Sequence, residues 1–137
     1  MLLLSTASYS DWNKLKTEYS YHDKMFLVKV WSKYGHLHLK ELLEVIYQMH
    51  IQELLPEVLL AVNSCFEQNK DKPDYLRDVI AEEDMVIKLL ITKAFLDFND
   101  EIKRDENLIQ AFENFLETLV EYKVEAAGVI LDEFRIH

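Results

Sequence analysis

Apolar residues recur along much of this chain at steps of three and four, the spacing that gathers them on one face of a helix. The pattern is clearest from Leu37 to Leu54. There Leu39, Leu42, Leu43, Ile46 and Met49 form a stripe, and Lys40, Glu41, Glu44 and Gln48 fall away from it. Leu55 precedes a proline and is pushed out of the α region, so that helix is expected to stop there. Pro56 suits the first turn of the next helix, through Val58, Leu59, Val62 and Phe66. The run from Gln68 to Asp74 reads as a loop, and Pro73 as a new helix start.

Upstream, Ser10 or Asp11 can cap a helix through Trp12, Leu15 and Tyr19. Ser20-x-x-Asp23 resembles a capping box that opens a second helix through Met25, Phe26, Val28, Val30 and Trp31, with Gly35 at its C′ position. Met25 to Trp31 is also β-branched and aromatic enough for a strand; the helical reading is preferred.

Met85 to Phe98 is apolar nearly all round, interrupted by Lys88, Thr92, Lys93 and Asp97. Such a helix is expected in the middle of a core, packed on several sides. Joining it to the stripe Leu76, Val79 and Ile80 places Glu83 on the apolar face, where an unpaired carboxylate is costly. Either the chain breaks at Glu82-Glu83-Asp84 with Asp84 as cap, or Glu83 is buried with a partner; the break is the preferred reading. Asn99 to Asn107 reads as a charged link. A single long helix is then expected to about Phe134, with Leu108, Phe112, Phe115, Leu116, Leu119, Ala126, Ala127, Ile130 and Phe134 on its apolar face. Gly128 inside it marks a bend or a close helix contact.

These segments predict an all-α fold: one compact domain over residues 1–137, with about six antiparallel helices in a bundle or a short α-solenoid-like double layer. Composition agrees. Two glycines and two prolines leave little for β-turns or phosphate-binding loops, and 50% hydrophobic residues argue against disorder. A net charge of −10 makes ordinary nucleic-acid binding improbable and favours a basic partner. The segment Met1–Ser10 has no basic n-region and too short an apolar run for a signal, so a cytoplasmic location is expected.

Chemistry is sparse. Cys65 is the one cysteine and sits in an apolar stripe, which suits a small core residue better than a nucleophile. His36-x-His38 diverges on a helix, and His50-x-x-Glu53 reverses the Glu-x-x-His order of di-iron bundles and occurs once. No metal or cofactor site and no catalytic residues are assigned. An enzyme using His50, Glu53 and Glu83 is the rival reading. Tyr9, Trp12, Tyr19, Tyr21, Trp31 and Tyr34 crowd the first quarter and offer a second binding surface, suited to a homo-oligomeric adaptor.

The most distinctive surface pattern is Glu113, Glu117, Glu121 and Glu125, each four residues after the last. On one helix they would form a slanting ridge of mutually unfavourable charges. Asp105, Glu106 and Asp132 would extend it, and Tyr122 would add an aromatic anchor on the same side. The expectation is a small acidic binding protein that neutralises a basic protein. Its most specific form is a bacterial immunity protein that blocks a toxin, such as a nuclease, through Glu113, Glu117, Glu121, Tyr122, Glu125, Asp105 and Glu106.

Overall fold

A computed structural model describes residues 39–49 and 55–136. The expected helices upstream of Leu39, the aromatic cluster, the three histidines and Glu53 lie outside the described residues. Within them the fold is all helical, with seven helices in one compact arrangement: α1 (Leu39–Met49), α2 (Leu55–Gln68), α3 (Pro73–Glu82), α4 (Asp84–Asp97), α5 (Asn99–Lys103), α6 (Glu106–Glu121) and α7 (Glu125–Ile136).

α6 is the hub. It packs against α2, α5 and α7, while α4 packs against α1, α3, α5 and α7. The α6 stripe Leu108, Ala111, Phe112, Phe115, Leu116 and Leu119 is buried along its length. Two edge-on aromatic pairs lock it to its neighbours. Phe115 meets Phe66 of α2 with ring centres 5.0 Å apart, and Phe112 meets Phe134 of α7 at 4.9 Å.

Between α2 and α3 the link is shorter than the expected loop. Asn69 is buried, and its amide donates to the Cys65 carbonyl at 2.8 Å, which satisfies one of the open acceptors at the end of α2. Pro73 then opens α3 at its first turn, as its fixed φ favours.

α4 corrects the expectation of a wholly buried central helix. Val86, Ile87, Leu90, Ile91 and Ala94 are buried, but Met85 is 65% exposed, Leu89 42% and Leu96 69%. Its neighbours cover one side, Phe95 packs partly against the core, and Met85, Leu89 and Leu96 face outward.

The charged link after Asp97 is also more ordered than expected. Five of its residues form α5, whose Ile102 is fully buried. Lys103 ends that helix over the Phe134 ring, 3.8 Å from its centre, and donates to the Phe134 carbonyl at 2.6 Å. A cation thus sits against the carbonyl end of α7, where the helix dipole favours it.

The long final helix does not exist as one element. α6 ends in a Schellman motif: the Val124 amide donates to the Leu119 carbonyl at 3.0 Å, and the Lys123 amide to the Val120 carbonyl at 3.0 Å. Lys123 has a φ of 70°, the left-handed region in which glycine is favoured. Val124 and Leu119 are both buried, the apolar contact that usually accompanies this turn. α7 therefore folds back on α6 as a helical hairpin. Gly128 lies on the close side of that hairpin, where an added Cβ would stand 3.8 Å from Val120 Cγ2.

Relieving the left-handed strain gives a direct check. Lys123→Gly is expected to raise the unfolding free energy by up to about 1 kcal/mol, the left-handed penalty less glycine's unfolded-state entropy. Urea denaturation measures it, and a loss of stability would contradict the assignment of Lys123 to the C′ position.

Candidate partner-binding surface

The hairpin breaks the acidic ridge. Glu113, Glu117 and Glu121 remain on α6, but Glu125 is the first residue of α7, beyond the turn. Nor are the first two open. Arg135, in the last turn of α7, hydrogen-bonds to Glu117 and stands 3.8 Å from Glu113. One guanidinium relieves the repulsion that two carboxylates four residues apart would otherwise carry.

Asp105 has a structural role. It is the N-cap of α6, its carboxylate accepting the Asn107 amide at 2.8 Å. Glu106 lies in the first turn of the same helix, where the positive end of the dipole favours an acid.

What the fold assembles instead is a groove of about 380 Å³ between the end of α2, the start of α3 and the end of α6. Phe66 and Leu76 lie beneath it, both all but fully buried, and Tyr122 also lines it, so its open surface is mostly polar. Three carboxylates rim it: Glu117 and Glu121 from α6, and Glu67 from α2. Lys70 is also on the rim, 3.8 Å from Glu67. Thr118 spends its hydroxyl on the Asn114 carbonyl at 2.9 Å.

A second groove of about 700 Å³ lies on the other side of the same tyrosine. Arg77, Asp84 and Lys88 line it from α3 and α4, and Lys123 and Glu125 from the hairpin turn. Its charges are mixed, and Asp84 and Lys88 already pair at 2.9 Å.

Of the seven residues expected to bind a partner, Glu117, Glu121 and Tyr122 thus meet in the first groove, and Tyr122 and Glu125 in the second. Asp105, Glu106 and Glu113 line neither. Glu67 was not among the expected residues. Sequence spacing groups residues of one helix, whereas Glu67 arrives through the packing of α2 on α6.

Of the rival site only Glu83 is described. The chain does break there, and Glu83 is also buried, so each half of the sequence alternative holds in part. Asp84 begins α4 rather than capping it, and Glu83, in the cap position, makes no side-chain cap bond. Burial, together with a hydrogen bond and charge repulsion from Glu44 of α1, pushes the Glu83 carboxyl up to about 7. Cys65 is fully buried, and burial pushes its thiol up to about 12, which leaves negligible thiolate at neutral pH. Among the described residues, no group of three or more His, Cys, Asp or Glu is placed to hold a metal, and no helix is long and apolar enough to cross a membrane. No family model matches the chain, and neither a curated protein nor a solved structure matches it.

Proposed function

We propose that this chain is an acidic binding protein that neutralises a basic protein partner, in the manner of an immunity protein that blocks a toxin. The observation that carries the reading is the first groove: three carboxylates drawn from two helices onto one rim, beside a half-buried tyrosine. Lysine or arginine of the partner would meet Glu67 and Glu121, since Glu117 is already held by Arg135, and an apolar or aromatic side chain would pack beside Tyr122. Aromatic side chains carry much of the binding energy of interfaces, and surrounding charge speeds encounter. A net charge of −10 works to the same end over longer range. A nuclease is a natural target, because carboxylates can occupy positions that substrate phosphates would take.

Co-expression with the products of the adjacent reading frames tests the reading. One of them is expected to arrest growth, and this chain to relieve the arrest. Relief undiminished by Glu67→Lys with Glu121→Lys would remove the groove from the account, and absence of any toxic neighbour would remove the immunity role.

A second reading has its own observation. Met85, Leu89 and Leu96 are exposed, and with Thr92 they follow the four-three-four spacing of a helix-pairing seam. A homo-oligomeric module joined through α4 would use them. Sedimentation then shows a dimer that Leu89→Glu with Leu96→Glu converts to monomer; a monomer at every concentration removes this reading.

A further inference from the structure

Glu83 is one of two buried polar residues in the described core, 7% exposed, and it is the single residue between α3 and α4. Its backbone serves both helices: its amide donates to the Val79 carbonyl at 2.8 Å, and its carbonyl accepts from Ile87 at 3.0 Å. Glu44 of α1, one turn beyond Lys40, is the carboxyl within hydrogen-bonding reach of its side chain. Two ionised carboxylates are acceptors only, so a hydrogen bond between two carboxyl groups requires a proton on one of them. The nearby cation is engaged elsewhere, since Lys40 of α1 pairs with Glu82 at 2.6 Å.

We propose that a proton held between Glu44 and Glu83 latches α1 to the α3–α4 joint, and that losing it frees α1. The inference is independent of the acidic groove, which α1 does not line.

The charges around the latch decide its sign. Glu44 and Lys40 face Glu83 from α1, and Glu82 from α3; Glu44 and Glu82 favour the neutral form, and Lys40 opposes it. On α4, Asp84 is paired with Lys88. From α7, Glu125 shares a groove rim with those two. α5 carries Asp100, Glu101 and Lys103, the last committed to the Phe134 carbonyl. Burial is the largest cause, and the Glu83 carboxyl rises from its ordinary 4.5 to about 7. The folded form therefore holds a proton that the unfolded chain has released. The latch is at full strength below the ordinary value and is lost as pH rises through about 7. Above that, two carboxylates face each other in a buried joint, and the contact repels.

Hydrogen exchange tests this on the whole chain. Protection factors of the α1 amides, corrected for intrinsic rates, are compared between acid and alkaline buffers on either side of neutrality. Wild-type α1 is expected to lose about tenfold or more of its protection at the alkaline end, while α6 keeps its own. In Glu83→Gln the amide donates to Glu44 at any pH, so α1 protection stays level. Glu44→Gln gives the mirror-image donor and the same level response, which covers the case in which one variant folds poorly. Equal wild-type protection at both ends, an undiminished drop in either glutamine variant, or an equal loss across α6 would overturn the proposal.

Discussion

Exchanging Glu67 and Glu121 for lysine is expected to weaken binding of a basic protein partner by about 100-fold or more at low ionic strength. The two substitutions reverse charge on both sides of the groove. They leave Glu117 and Glu113 alone, so the Arg135 contacts that hold α7 to α6 stay intact. Glu67 loses an exposed pairing with Lys70 at 3.8 Å, and such pairs contribute little. Stability should therefore hold while affinity falls. A matched control separates groove from net charge: Asp100→Lys with Glu101→Lys changes charge equally, on α5 and away from both grooves. Calorimetric titration of the three proteins reads the difference, and an equal loss in the control would assign the effect to overall acidity.

Phe115→Ala is expected to cost about 3–5 kcal/mol of unfolding free energy. Phe115 has no exposed surface, and its ring closes edge-on against Phe66 across the α2–α6 contact. Truncation removes that aromatic pair and leaves a cavity in the helix on which α2, α5 and α7 all rest. Since whole domains are stable by only about 5–15 kcal/mol, the melting temperature should fall by roughly 10–20 °C. Leu96→Ala, on the 69%-exposed side of α4, should stay within about 0.5 kcal/mol. Comparable losses in the two variants would contradict the division of α4 into a packed and an open side, and α6 as the hub.

The all-α class was legible because it follows from period, and the period of Leu39, Leu42 and Leu43 or of Leu108, Phe112 and Phe115 matches their burial. The breaks were harder. Glu83 announced itself as a charge on an apolar stripe, but Lys123 did not. Apolar positions continue in phase from Leu119 to Ala126, and no glycine or proline marks the turn. A lysine holds the left-handed position, sustained by the buried contact of Leu119 with Val124. That contact is local, five residues apart, but the same apolar positions also suit a continuing helix, so pattern alone does not reveal the turn. The acidic ridge failed for the same reason, since its four-residue step ran across an unseen turn. Arg135 reaches Glu117 only once α7 folds back, and Glu67 joins the groove from another helix, so spacing along the chain shows neither. The apolar run of α4 overstates its burial: a helix with several neighbours can still keep Met85 and Leu96 outward.

The association rate constant with a basic partner, followed by stopped flow as salt is raised, bears most directly on whether this chain acts by presenting negative charge in that groove. Wild type should associate about 10- to 1,000-fold faster at low salt than at high salt, and the Glu67→Lys, Glu121→Lys double variant should be slow and nearly insensitive to salt. Identical rates and identical salt dependence for the two proteins would contradict the account.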